Sequence, residues 1–132
     1  MRLYLDASAL VKLVIAEAET AALRAYLRRH RRDELVTSAL SRVEVVRAVM
    51  PAGPAAAAAA RRLTAGLAQL TLSRRILDSA AALQTTAPVR TLDALHLASA
   101  QRVGASLRAV VTYDARMAAA AQELALTAIA PT

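Results

Sequence analysis

Short apolar runs recur along this chain, and stretches with helical spacing separate them. That alternation points to parallel strands, because each return to the same edge of a sheet needs a long crossover, usually a helix. Residues 2–5 read as a short buried strand ending at Asp6. Runs at 35–37, 70–72, 107–112 and 126–129 read as further strands. Ser8 suits the cap of a helix carrying Leu10, Leu13 and Val14, and a second helix spans 19–30. Ser41 and Glu44 have the spacing of a capping box, with Val43, Val46 and Met50 continuing that helix. Pro51, Gly53 and Pro54 make a turn, and the alanine run 55–60 reads as helix. A helix is expected at 74–84 and a break at 85–88. Thr91 then caps a helix that Gly104 stops, and the last helix covers 114–125. The expected fold is α/β, a three-layer arrangement of four to five short parallel strands flanked by helices. The 132 residues fit one domain, 1–132.

The core has to be built without large aromatics. Phe and Trp are absent, and Tyr4, Tyr26 and Tyr113 are the only aromatic residues besides two histidines. Leu, Val and Ala must fill the interior, and so much alanine favours closely packed helices. Cysteine is absent as well, which excludes disulfides and thiolate metal sites. No stretch reaches the roughly 18 apolar residues of a membrane span. Asp6 and Lys12 interrupt the apolar start that a secretory signal would need, so a cytosolic protein is expected. The net charge is +7 and Lys12 is the only lysine, so nearly all the positive charge is arginine. A basic chain of this kind suits a polyanionic partner, although a GC-rich genome, which favours Ala and Arg codons, accounts equally well for it. Arg28, Arg29, Arg31 and Arg32 form the densest cluster. It reads equally as a solvated helix end and as a grip on RNA phosphate.

Four carboxylates stand out by position. Asp6 and Asp114 fall just after strands, where sites form in parallel sheets, but each also suits a helix start. Glu44 fits the capping box, and it also lies three residues before Arg47, at ion-pair spacing. Asp93 is harder to explain structurally. From Leu92 to Ala98 its helix is apolar all round except for Asp93 and His96, so the carboxylate needs a partner against the cost of burial. Arg90 is the only nearby cation, and a metal ion shared with the other acids is the alternative. Carboxylates gathered at one pole repel one another unless something neutralises them. Mg²⁺ or Mn²⁺ would do so, and hard cations prefer oxygen donors. Such a site suits phosphodiester hydrolysis. His96 reads as a satisfied core residue more readily than as a ligand, and His30 as surface.

The segment Asp6 to Lys12, DASALVK, resembles the opening motif of PIN domains. Ser41 to Glu44 resembles their second motif, Thr91 to Ala98 (TLDALHLA) the third, and Val111 to Met117 (VTYDARM) the fourth. Order and spacing together cover nearly the whole chain, and its length is similar to stand-alone VapC toxins. The resemblance implies a metal-dependent endoribonuclease acting as the toxin of a toxin–antitoxin pair. It implies that Asp6, Glu44 and Asp93 hold Mg²⁺ or Mn²⁺, that Asp114 completes the site, and that Ser8 and Thr112 support it. It also implies a structured RNA substrate such as tRNA or ribosomal RNA, a VapB-like antitoxin, and a homodimer. The family often ends the helix after Asp114 at glycine, whereas this chain reads Leu124, Ala125, Leu126.

Three other readings compete with this one. A phosphotransfer receiver domain needs an acidic pair after the first strand and a late lysine. Here Asp6 is single and Lys12 comes early. A pure RNA-binding module would need stacking aromatics, which the chain lacks. A PIN nuclease of RNA maturation or DNA repair, without an antitoxin, shares the same motifs.

Overall fold

A computed structural model describes residues 1–86 and 88–132. Ala87, within the expected break at 85–88, lies outside the described residues. Five parallel strands form one sheet: β1 (Arg2–Leu5), β2 (Glu34–Ser38), β3 (Ala68–Leu70), β4 (Leu107–Val111) and β5 (Ala128–Ile129), in the order β3-β2-β1-β4-β5. The helices are α1 (Ala7–Val14), α2 (Thr20–Arg29), α3 (Ser41–Val49), α4 (Pro54–Ala65), α5 (Arg74–Ala81), α6 (Thr91–Val103) and α7 (Ala115–Glu123). The chain steps outward from β1 through β2 to β3, then returns to the other side of β1 for β4. The β1–β4 junction is therefore the switch point at which crevices open in such sheets. Tyr4 is in register with Val36 on one side and Val110 on the other.

Both faces of β1 are buried, as expected of a central parallel strand. Leu3 and Leu5 pack with Leu10, Leu23, Val45, Val49, Ala57 and Ala60, so α1 to α4 cover one face. Tyr4, Val36 and Val110 pack with Leu97, Ala100, Met117 and Ala121, so α6 and α7 cover the other. Alanines of α4 and α7 lie inside these clusters, filling with close approach the room that aromatics would otherwise occupy. No helix among the described residues is long and apolar enough to cross a membrane.

Several caps differ from expectation. Ser8 does not cap α1; the Asp6 carboxylate does, accepting from the Ala9 N–H at 3.0 Å. Ser41 begins α3 inside the helix, and its hydroxyl turns back to Thr37 Oγ1 at 2.6 Å. The Thr37 hydroxyl already donates to the Leu5 carbonyl at 2.7 Å, so Ser41 donates to Thr37. No capping box forms, because the strand it leaves captures the serine. Arg90 and not Thr91 precedes α6, with no side-chain cap. β3 begins two residues earlier than expected, and α5 stops at Ala81. Gly104 ends α6 with φ +73°, as expected.

Lys12 of α1 is 9 % exposed. Its ammonium donates to Glu19 at 2.8 Å, lies 3.6 Å from Glu17, and sits 4.7 Å from the Tyr113 ring centre. At the amino end of the sheet, the Asp33 carboxylate joins the Met1 ammonium at 3.4 Å to the Arg108 guanidinium of β4. Arg108 holds the Asp33 carboxyl down at about 2 from its ordinary 3.8. A depressed carboxyl stabilises the fold above its unfolded value, and that contribution is lost as pH falls through the folded one. Between pH 3.8 and about 2, the melting temperature of the wild type should therefore fall more steeply than that of Asp33→Asn. Parallel melting curves would contradict this.

The end of α7 shows what replaces the family's glycine. Leu126 N–H donates to the Ala121 carbonyl at 2.9 Å and Ala125 N–H to that of Gln122 at 3.0 Å. This is a Schellman motif, and Ala125 occupies its left-handed position with φ +59°. A Cβ there is strained by roughly 1–2 kcal/mol, whereas glycine is not. Glycine's greater freedom in the unfolded chain offsets part of that relief, so Ala125→Gly should stabilise the protein by up to about 1 kcal/mol. Urea unfolding measures this, and a destabilised variant would refute it.

Candidate active site

Four carboxylates come from four different elements, and hydrogen bonds tie most of them to the carboxyl end of the sheet. Asp6 leaves β1 and is 4 % exposed. Its Oδ1 accepts from the Ser8 hydroxyl at 2.6 Å as well as from Ala9, and its Oδ2 accepts from the Thr112 hydroxyl at 2.6 Å. Each hydroxyl in turn accepts a backbone N–H from the segment leaving β4. Tyr113 donates to Ser8 at 2.9 Å, and Asp114 donates to Thr112 at 3.1 Å. Two hydroxyls thus lace the ends of β1 and β4 together through one carboxylate. Burial pushes the Asp6 carboxyl above its ordinary value, against the opposing pull of Ser8, Thr112 and Ala9.

Asp114 caps α7, its Oδ1 accepting from Arg116 N–H at 2.9 Å and Met117 N–H at 3.3 Å. Its Oδ2 lies 3.6 Å from Arg90 Nη2. Arg90 Nε lies 3.5 Å from Asp93 Oδ2, so one guanidinium spans two of the four acids. Glu44 and Asp93 line one cleft with Arg90, Thr91 and Leu92. Glu44 pairs with neither Arg47 nor its own helix start. Its Oε1 lies 2.5 Å from His96 Nε2, and His96 Nδ1 lies 2.7 Å from the Tyr4 hydroxyl. His96 is thus buried and satisfied, but by an acid of the site. Tyr4 was not singled out in the sequence. A phenol on a wholly buried strand needs a hydrogen-bond partner, which is the signal that finds it.

The donor set, four carboxylates and no thiol, suits a hard divalent cation. As the side chains lie, no group of three or more His, Asp or Glu residues among those described is arranged to hold one. Glu44 is turned to His96, and Arg90 supplies positive charge between Asp93 and Asp114. The fit is thus one of chemistry and location. The arginine cluster lies elsewhere. Arg28 and Arg29 end α2, and Arg31 and Arg32 lead into β2, so all four are exposed at the amino end of the sheet, opposite the acids.

Fold and acids together define a small parallel α/β protein with a carboxylate site at its switch point. The PIN domain family matches residues 3–123, and the chain belongs to that family. At closer range it is 50 % identical over 130 residues to Ribonuclease VapC46 of Mycobacterium tuberculosis, covering 98 % of this chain and 97 % of the relative. It is 41 % identical over 131 residues to Ribonuclease VapC35 of the same species, covering 98 % and 96 %. The crystal structure of Mycobacterium tuberculosis VapC20, a sarcin-ricin loop cleaving toxin, shares the fold with a TM-score of 0.77. That match covers 98 % of this chain and 99 % of the other at 16 % identity.

Thr112 is 1 % exposed and serves both Asp6 and the Asp114 N–H. Thr112→Val keeps the shape but strands both partners. It should cost about 1–3 kcal/mol in denaturant unfolding. An unchanged midpoint would show that water replaces the hydroxyl.

Proposed function

We propose that this protein is an endoribonuclease that uses Mg²⁺ or Mn²⁺ and acts as the toxin of a VapBC-type toxin–antitoxin pair. The observation that carries this reading is the 50 % identity to a ribonuclease across almost the entire chain. The carboxylates at the β1–β4 junction support it, because their positions match the four motifs of the family. Asp6, Glu44, Asp93 and Asp114 are the residues that would hold the metal. A divalent ion held there would supply Lewis-acid chemistry, lowering the pKa of a bound water and neutralising phosphate charge. Ser8 and Thr112 keep both oxygens of Asp6 directed by hydrogen bonds. Asp114, capping α7 through Oδ1, leaves Oδ2 for Arg90 or for the ion. Arg90, largely exposed beside Asp93 and Asp114 at the cleft, would offer its guanidinium to an RNA phosphate there.

The substrate in this reading is structured RNA, tRNA or ribosomal RNA, met in the cytoplasm. A VapB-like antitoxin covers the site and two copies of the toxin pair. Arg28, Arg29, Arg31 and Arg32 sit at the far end of the sheet. Their role would be to hold distant RNA backbone or the antitoxin, away from the scissile phosphate.

Purified protein incubated with a tRNA pool or with ribosomal RNA should cleave it in the presence of Mg²⁺ or Mn²⁺ and stop when EDTA is added. Asp93→Asn should reduce cleavage to background while remaining folded. Mn²⁺ should raise the melting temperature of the wild type and raise that of Asp93→Asn much less. Full cleavage by Asp93→Asn, or full cleavage in EDTA, would overturn the mechanism.

A further inference from the structure

The contact between Glu44 and His96 joins α3 to α6 across 52 residues, and the contact between His96 and Tyr4 joins α6 to β1 across 92. Tyr4 is fully buried and His96 is 2 % exposed, so neither ring can exchange its partner for solvent. The two rings meet edge to face, with centres 5.9 Å apart and planes at 75°. Glu44, by contrast, is partly exposed and lines the cleft with Asp93. A glutamate has three rotatable bonds, and its placement at a cleft wall costs side-chain entropy. A fixed donor removes that freedom beforehand.

We infer that His96 is a positioning residue: its ring, anchored on the Tyr4 hydroxyl, donates from Nε2 to Glu44 and holds that carboxylate at the acidic cleft. The direction of the relay follows from the phenol. Its single hydrogen points to the partner it meets, His96 Nδ1 at 2.7 Å, and a ring nitrogen that accepts carries no hydrogen of its own. The ring hydrogen then sits on Nε2, facing Glu44 Oε1 at 2.5 Å, where a carboxylate oxygen that can only accept needs a donor. Among the described residues only Oε1 is engaged, and Oε2 stays available to the cleft. Partners of this kind orient carboxylates that ligate metals, and losing one typically costs about 10–100-fold in metal affinity. The metal consequence rests on the ribonuclease reading above, whereas the hold on Glu44 does not.

Two substitutions separate the two ring nitrogens. The amide of His96→Gln reaches about as far as Nε2 and can still donate to Glu44. The amide of His96→Asn reaches only as far as Nδ1 and can serve Tyr4 alone. With Mn²⁺ as probe and calorimetry as readout, His96→Asn should bind roughly 10–100-fold more weakly than wild type, and His96→Gln should retain most of the affinity. Equal loss in both variants, or loss in neither, overturns the metal consequence. A second measurement needs neither metal nor RNA. Ring-nitrogen NMR of the wild type should show His96 protonated on Nε2, and Glu44→Ala should move that signal. A ring protonated on Nδ1, or one indifferent to Glu44→Ala, overturns the positioning role itself. Failure of wild-type Mn²⁺ binding would sink the metal-dependent reading and leave the NMR result to decide the role of His96.

Discussion

A single carboxylate holds the centre of this molecule. Asp6 caps α1, accepts two hydroxyl hydrogens, and through those hydroxyls receives backbone N–H groups from the chain leaving β4. β1 and β4 are neighbours in space but lie more than a hundred residues apart in sequence, and their ends meet at this knot. Satisfying the buried charge required three donors, because an unpaired carboxylate there would be prohibitively costly. The same burial raises the proton affinity of Asp6, so its charge is held against the cost of its enclosure. A cation nearby would relieve that tension.

The aromatic-poor core shapes the rest. Without Phe or Trp, layers must approach closely, and the alanines of α4 and α7 allow it. Tyr4 is the one large ring between sheet and helix, and its hydroxyl cannot be left alone there. His96 answers it, and the remaining ring nitrogen then reaches Glu44. A packing choice in the core and the orientation of an acid at the surface are thus one chain of contacts.

The strands and helices were legible because their periodicity is local, and so was the placement of Asp6 and Asp114 after strands. Asp93 was legible as an acid in need of a partner, with Arg90 as its nearby cation. The expected burial does not hold, because the first turn of α6 lies at the surface, with Asp93 only partly buried and Leu92 exposed. Tertiary partners were not legible. Ser41 and Glu44 carry the letters of a capping box, yet Thr37 captures the first and His96 the second. Nothing in a window of a few residues encodes a contact made 52 residues away. The same limit hid the position of the arginine cluster. Its density is visible in the letters, but its place at the amino end of the sheet depends on strand direction. Ala125 is a milder case, since tertiary context holds a non-glycine residue in a left-handed turn that its backbone preference opposes.

The burial of Lys12 gives the surface an unusual chemistry. The chain's only side-chain amine is enclosed by Glu17, Glu19 and the Tyr113 ring. The Met1 ammonium lies 3.4 Å from the Asp33 carboxylate. For acylating reagents, amine cross-linkers and enzymes that attach tags to lysine, the folded protein offers almost no handle, despite its strong positive charge. Its cationic face is made of guanidinium groups, which bind anions at any physiological pH yet resist acylation.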